Sequence, residues 1–179
     1  MVAPIKAFGT PVGDVVQKRT YVSQQSLLDA TQPKGRRYYW KSEYLSALDP
    51  EFLHMAVEHA RRIVSPHSGI LIFPLDGALE RFADDHSAVG NRSATAVVNI
   101  AGAWEHAADD GENIEWARAA WRDLRRFSTG GTYVNFLTDD EGHERTRAAY
   151  GSNYARLVEV KSRWDSSNLF RANKNVAPA

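Results

Sequence analysis

The stretch GGTYVNFLTDDEG, residues 130–142, contains the side chains best suited to chemistry. Its apolar run TYVNFL predicts a β-strand, and the alternation of a strand places Tyr133 and Asn135 on the same face. Such a tyrosine is either a core residue with a satisfied hydroxyl or a group that exchanges a proton with a ligand. The pattern leaves both interpretations open, because a tyrosine hydroxyl has a reference pKa of about 10 and needs neighbours that stabilise its phenolate.

Asn99, in the strand-like run ATAVVNIAGAW, is a second candidate. Alternation places it with Val97 and Ala101 on one face of an apolar strand. A buried amide needs hydrogen-bond partners, which are either core groups or a ligand. Arg92 and Lys41 leave a similar choice, since each either anchors local structure or meets an anionic ligand.

The sequence does not favour a metal site or a complete nucleotide-binding loop. Its six histidines are scattered, and none forms the i, i+4 pair that directs two imidazoles toward one metal. The acidic clusters lack the alternating oxygen ligands of an EF-hand loop. The glycines of GTPVGD and STGGTY match neither of the common phosphate-binding patterns. We therefore expect no metal ligands in this chain.

Composition excludes several classes of partner. The 179 residues include 22 basic and 22 acidic side chains, so the net charge gives no reason to expect a nucleic acid or an anionic membrane as partner. Cysteine is absent, which excludes disulfides and thiolate catalysis and is compatible with a reducing cytoplasm. No apolar run approaches the roughly 18 residues of a membrane span. We expect a soluble, cytoplasmic protein.

Proline, glycine and hydrophobic periodicity predict three segments. Residues 1–35 are expected to form an extended N-terminal arm with a short helix around residues 26–30, residues 36–137 an α+β domain, and residues 138–179 a C-terminal helical segment. The expected fold is a mainly antiparallel sheet with helices on one face. Strands are predicted at 36–42, 68–75, 94–104, TYVNFL and, as the second strand of a hairpin, ALERF; helices are predicted from Asp49-Pro50 to Pro66, around Ile114–Leu124, at 143–150 and at 153–164.

Taken together, these motifs resemble the closing region of the berberine bridge enzyme-like FAD-linked oxidases. GGTYVNFLTDD is similar to the family's strand with the pattern tyrosine-x-asparagine-tyrosine, and AYGSNYARLVEVKSRWDSSNLFRANKNVAP is similar to its pattern YGxNYxRLxxxKxxxDPxNxFxxNQNI. The pieces IKAFGTPVGD, YYWKS, LDGAL, SAVGNR and VVNIAGAW occur in the family's order. Phe136 stands where the family has its second tyrosine, and Ser166 where it has proline.

The resemblance implies a substrate-binding domain followed by a C-terminal berberine-like segment, without the family's N-terminal FAD-binding domain. By position, Tyr133 is the implied catalytic residue, Asn99 and Tyr39 are the implied substrate-binding residues, and Asn135 and Phe136 are the implied contacts to the cofactor. FAD is the implied cofactor. The implied partners are a small-molecule substrate and a separate FAD-binding domain or subunit.

Two functions therefore remain open. The chain is either the substrate side of an FAD-dependent oxidoreductase, inactive alone, that oxidises an alcohol or similar group, or a non-catalytic α+β module or truncated product that binds a small ligand or itself. In either case we expect the exposed apolar surface to favour a homodimer, through the face that carries Asn99, Tyr133 and Asn135.

Overall fold

The computed structural model of the protein describes residues 3–10, 13–172 and 174–179. Its chain divides into two compact units, Met1–Lys34 and Gly35–Ala179. Predictions for the N-terminal arm at residues 1, 2, 11 and 12, and for the C-terminal segment at residue 173, lie outside the described residues.

The first unit contains short helical turns in a mostly exposed chain. Helix α1 is Ala3–Lys6 and helix α2 is Tyr21–Gln25, which Thr20 caps by accepting a hydrogen bond from the backbone of Ser23 at 3.2 Å. The helix predicted around residues 26–30 is a 3₁₀ helix, Ser26–Thr31, that follows α2 directly.

The second unit is built on an antiparallel sheet. Its strands are β1 (Arg37–Leu45), β2 (Gly69–Pro74) and β3 (Ala96–Trp104), in the spatial order β1-β3-β2. All nine residues of β3 are buried, which explains why its sequence is apolar except at Asn99. The predicted α+β fold with an antiparallel sheet is confirmed.

The two faces of this sheet differ in what covers them. Helices α3 (Pro50–Ala60) and α4 (Asp110–Leu124) pack on the face that carries Val98 and Ile100, here called the helix-covered face. The opposite face carries Val97 and Asn99 and is called the cavity face. Helix α3 ends at Ala60, earlier than predicted, because residues 61–68 form the turn that leads into β2.

The C-terminal part is helical, as predicted. Helices α5 (His143–Tyr150) and α6 (Tyr154–Trp164) are separated at Gly151, whose φ of 55° lies in the left-handed region. Further 3₁₀ turns are Ala107–Asp109, Arg125–Phe127, Val134–Phe136 and Gly151–Asn153.

Two strand predictions were wrong. ALERF forms turns, and every one of its residues is exposed, so it has no buried face on which a strand could pack. In TYVNFL, Tyr133 is extended but the 3₁₀ turn Val134–Phe136 follows it. Backbone bonds from Phe136 to Tyr133 (2.9 Å) and from Leu137 to Val134 (3.3 Å) close that turn.

Candidate functional site

The Tyr133 side chain lies at an apolar cavity of about 370 Å³. A second phenol, that of Tyr44, lines the same cavity. The remaining lining residues are mostly aliphatic or aromatic, with one cationic side chain: Phe73, Leu75, Leu79, Val89, Gly90, Asn91, Arg92, Val97 and Phe136. A cavity of this size and chemistry suits a small, largely apolar molecule that presents one or two polar groups.

Tyr133 is positioned by the residues that precede it. The backbone of Tyr44 donates to the Gly131 carbonyl at 3.1 Å, which attaches the segment to the outer edge of β1. Thr132 is completely buried, and its hydroxyl lies 2.7 Å from the Ser42 hydroxyl and donates to the Ser42 carbonyl at 3.0 Å. These bonds fix the backbone from which the Tyr133 side chain enters the cavity.

The double glycine before Tyr133 has two separate roles. Gly130 has a φ of 93°, a backbone angle that residues other than glycine rarely adopt. A Cβ atom on Gly131 would lie only 2.1 Å from the Oδ1 atom of Asn91. Asn91 in turn donates to the carbonyls of Ala148 and Ala149 at 3.4 and 3.3 Å. The close approach of Gly131 to Asn91 therefore connects the segment before Tyr133 to the last turn of α5.

The 3₁₀ turn after Tyr133 separates the apolar cavity from a polar one. The Asn135 side-chain amide donates to the Tyr133 hydroxyl at 2.8 Å. Asn135 also lines an open, polar cavity of about 620 Å³ together with Asp139, Tyr150 and Lys174. The Phe136 ring points to the apolar side, where it contacts Tyr133 edge-on with a ring-centre distance of 5.0 Å. The structure thus brings Tyr133, Asn135 and Phe136 together, although by a turn and not by strand alternation.

Tyr44 is a neutral hydroxyl group beside Tyr133. Burial, with a smaller contribution from the neighbouring Tyr133, raises the pKa of Tyr44 to about 12. Its phenol therefore stays protonated at neutral pH and can act as a hydrogen-bond donor. Tyr44 is not among the predicted site residues because the first strand was predicted to end at residue 42; alternation along the longer strand places Tyr44 on the face of Trp40 and Ser42.

Asn99 lies on the cavity face but does not line the apolar cavity. It is paired with Ser42 on β1 and with Leu71 on β2, and it is 3% exposed. Among the described residues, its buried Oδ1 atom has no hydrogen-bond partner, and the same holds for the indole nitrogen of Trp40. Trp40 points to the same face, where its ring contacts Phe136. Unpaired buried polar atoms are uncommon in proteins, and each calls for an explanation such as a catalytic role or a bound water or ion.

Tyr39 is not brought together with Tyr133 and Asn99. It lies on the helix-covered face, where its hydroxyl donates to Asp140 at 2.6 Å and accepts from Arg118 at 2.9 Å. Burial alone would raise the pKa of Asp140, but hydrogen bonds from Tyr39, Thr138 and basic neighbours outweigh it and hold that pKa well below its usual range. Tyr39 is therefore part of a polar network away from the cavity.

Lys41 and Arg92 are both held by neighbouring groups. Lys41 forms ion pairs with Asp140 at 3.0 Å and Glu141 at 3.2 Å. Arg92 donates to the Val89 carbonyl at 3.1 Å and to the Ser87 hydroxyl at 2.7 Å. Each bond set anchors local structure, and Arg92 still lines the apolar cavity.

The comparisons with known proteins agree with the motifs. Residues 132–177 match the family model described as berberine and berberine-like. An FAD-linked oxidoreductase of Dictyostelium discoideum is 23% identical over 97% of this chain, which spans 38% of that relative. The aclacinomycin-N/aclacinomycin-A oxidase of Streptomyces galilaeus is 25% identical over 61% of this chain, which spans 23% of that relative.

Solved structures show the same fold. CrmK, a flavoenzyme involved in shunt product recycling in caerulomycin biosynthesis, superposes with a TM-score of 0.70 and 27% identity over 82% of this chain and 33% of its own. The berberine bridge enzyme from Eschscholzia californica gives a TM-score of 0.73 with 18% identity over 80% of this chain and 33% of its own. The predicted resemblance to the C-terminal portion of berberine bridge enzyme-like FAD-linked oxidoreductases is therefore confirmed.

The described residues contain neither a candidate membrane span nor a candidate metal cluster. None of their helices is long and apolar enough to cross a membrane. Within residues 3–10, 13–172 and 174–179, no three histidine, aspartate or glutamate side chains are grouped to hold a metal ion.

Proposed function

We propose that this chain forms the substrate side of an FAD-dependent oxidoreductase that oxidises a hydroxyl group of a small, largely apolar molecule. The observation that carries the proposal is the Tyr133 phenol, held by Asn135 at an apolar cavity, within the segment that matches the berberine-like family model. The chain spans less than half of its curated relatives, so the complete activity requires residues that this chain does not contain.

The chain's own residues suit contact with one side of FAD. The exposed amide of Asn135 opens onto the polar cavity, and the Phe136 ring offers an apolar surface on the other side of the same turn. The sequence has no glycine-rich loop of the kind that holds a pyrophosphate. These features fit a chain that contacts the cofactor while another polypeptide segment binds its phosphates. When bound, FAD supplies the acceptor for the hydride.

The proton chemistry is assigned to Tyr133. Oxidation of an alcohol to a carbonyl removes the hydroxyl proton together with a hydride from the carbon, and both electrons leave with the hydride. In its phenolate form, the Tyr133 oxygen takes the hydroxyl proton. The N–H group of Asn135, 2.8 Å from that oxygen, stabilises the negative charge it carries before the transfer. Tyr44 remains protonated and can donate a hydrogen bond to the substrate.

The test combines the full chain with the FAD-binding part of the Dictyostelium relative. Flavin reduction by a panel of apolar alcohols is followed anaerobically in single turnovers. Tyr133→Phe is expected to slow reduction by roughly 10²–10⁴-fold, the usual contribution of a general base, with little change in alcohol binding. Tyr154→Phe, which makes the same change on α6 outside the cavity, should reduce flavin at the unaltered rate.

A second candidate is a non-catalytic module that binds a small ligand, and the cavity itself favours it, because this chain alone supplies all of the lining. Alcohol binding without any flavin reduction would support this second function. Flavin reduction at an unchanged rate by Tyr133→Phe would remove Tyr133 from the role of base.

A further inference from the structure

Arg92 is the only charged side chain among the described residues that line the apolar cavity. It is half-buried, and the other polar side chains of the lining are the phenols of Tyr44 and Tyr133 and the amide of Asn91. No aspartate or glutamate of the described chain contributes to these walls. The cavity therefore presents a positive charge and hydrogen-bond donors, but no negative charge that would match a cationic ligand.

The backbone that carries Arg92 is held in place by the C-terminal part of the chain. The Arg92 N–H donates to the Asp84 carboxylate at 2.5 Å, and the Asn153 amide donates to the Asp84 carbonyl at 2.7 Å. A Cβ atom on Gly90 would lie 3.0 Å from the Tyr150 carbonyl oxygen, so the loop before Arg92 packs closely on the end of α5. These contacts position Arg92 before any ligand binds.

Two uncharged groups orient the Arg92 guanidinium. Its Nε–H donates to the Val89 carbonyl at 3.1 Å, and one of its terminal N–H groups donates to the Ser87 hydroxyl at 2.7 Å. These two bonds use two of the five N–H donors of a guanidinium. Neither acceptor carries a negative charge, and Asp84 bonds to the backbone N–H of Arg92 and not to its side chain. The side chain is therefore fixed in direction without being neutralised by these contacts.

Binding of a ligand changes the environment of this charge. A molecule that fills the cavity displaces water from the half-buried guanidinium, and a charge that loses water needs a partner of opposite sign. A carboxylate supplies that partner, because its two oxygens match the paired N–H groups of an arginine. A neutral ligand leaves the charge uncompensated, and a cationic ligand is repelled by it. These walls therefore best compensate an apolar body that carries one carboxylate.

We propose that the cavity binds an amphipathic organic anion, a small molecule with an apolar body and one carboxylate, and that Arg92 binds the carboxylate. Phe73, Leu75 and Val97 contact the apolar body. The inference rests on the proposed function for one further group: the hydroxyl that is oxidised lies at Tyr133, so the substrate class is an apolar hydroxy acid. Arg92 is then a residue that determines specificity, because the group it binds does not react.

Two probes of nearly the same shape test the proposal on the full chain alone. The acid of the pair, trans-4-(hydroxymethyl)cyclohexanecarboxylic acid, is an anion at neutral pH, and its carboxamide is the neutral counterpart. By titration calorimetry we expect the acid to bind about 10–100-fold more tightly than the amide, the usual contribution of a hydrogen bond to a charged group. Arg92→Gln should abolish this preference and leave the affinity for the amide unchanged. Arg122→Gln, an exposed position on α4, should keep the preference.

A second measurement does not depend on the folding of a variant. On the unaltered chain, added potassium chloride should weaken binding of the acid and leave binding of the amide unchanged, because salt screens the attraction between the guanidinium and the carboxylate. Arg92→Lys should still prefer the acid, but by a smaller factor than the unaltered chain does. Lysine keeps the positive charge and lacks the paired N–H groups that match two carboxylate oxygens.

Equal affinity for the two probes, no binding of either, or a preference that persists in Arg92→Gln would overturn the proposal. If the preference disappears when the FAD-binding part of the Dictyostelium relative is added, a carboxylate of that polypeptide meets Arg92, and the proposal is wrong. The result is independent of the proposed oxidation. A preference for the acid without flavin reduction keeps the carboxylate site and removes the oxidation, whereas flavin reduction by neutral alcohols with equal probe affinities does the reverse.

Discussion

On the helix-covered face of the sheet, Lys41 and Glu43 are buried with their charges paired. On the cavity face, Asn99 is buried and Trp40 is half-buried, and among the described residues each has a buried polar atom without a partner. Both faces belong to the same strands. The paired groups hold the C-terminal segment on the sheet, whereas no group among the described residues satisfies the Asn99 oxygen or the Trp40 indole nitrogen.

The paired charges form a compact cluster. The Glu43 carboxylate accepts hydrogen bonds from Trp121 at 2.6 Å and Ser128 at 2.5 Å and lies 2.9 Å from the Arg145 guanidinium. Arg145 also contacts Glu141 at 2.7 Å. Because Arg145 lies on α5 and Glu43 on β1, the cluster attaches the berberine-like segment to the sheet. Tyr133 and the turn that follows it lie between Ser128 and Arg145, two residues that bind Glu43.

Glu43→Gln should have the largest effect on stability. Glu43 is 2% exposed, and the substitution leaves the Arg145 side chain, which is 20% exposed, with Glu141 as its remaining carboxylate partner. Breaking a buried pair costs about 3–5 kcal/mol when the remaining charge has no partner, so we expect a loss toward the lower end of that range, measurable as a lower free energy of unfolding in urea. Arg122→Gln is the control, because Arg122 and Glu115 are 66% and 65% exposed and such a pair contributes about 1 kcal/mol or less. Equal losses in the two variants would contradict the assigned role of the cluster.

The Tyr44 hydroxyl should make the cavity face sensitive to alkali. Its folded pKa of about 12 lies above the ordinary value of 10.0, so its contribution to stability is complete below about pH 10 and is lost as the pH rises toward 12. The full loss is about 2–3 kcal/mol, since one pKa unit corresponds to about 1.4 kcal/mol.

Unfolding free energies of the unaltered chain and of Tyr44→Phe, measured at about pH 9 and about pH 11.5, isolate this contribution. The unaltered chain should lose more stability between the two pH values than Tyr44→Phe does. Parallel losses would show that Tyr44 ionises as easily in the folded chain as in the unfolded one. Tyr154→Phe, on α6, should behave like the unaltered chain.

Sequence alone predicted the elements that depend on local pattern. β3 is recognisable because nine residues that are apolar except for Asn99 suit a strand buried on both faces, and α5 and α6 follow from helical spacing interrupted at Gly151. The turn at Val134–Phe136 was not predictable in this way. Its conformation depends on the packing of Phe136 against Trp40 and Phe73, residues that lie far away in the sequence.

The candidate site was predictable in part for the same reason. Tyr133 and Asn135 were named from spacing and resemblance, and the structure places their side chains in direct contact. Tyr39 was named from the resemblance of the YYWKS strand to the family, which does not tell which face of the sheet its side chain occupies. Only the register against β3 shows that it lies on the helix-covered face, and its partner Asp140 comes from a segment about a hundred residues later.

Asn99→Leu should give the smallest effect, with the opposite sign. Leucine has a similar shape and removes the buried oxygen that has no partner, so the free energy of unfolding should rise by about 1–2 kcal/mol. The matched control is Asn153→Leu, because the Asn153 amide is also buried but donates to the Asp84 carbonyl at 2.7 Å. That variant should be destabilised by about 1–3 kcal/mol, since it leaves the carbonyl unpaired. Losses of similar size at both positions would show that Asn99 has a structural partner after all. A gain at Asn99 accompanied by weaker binding of apolar alcohols would show that its amide is maintained for a ligand at the expense of stability.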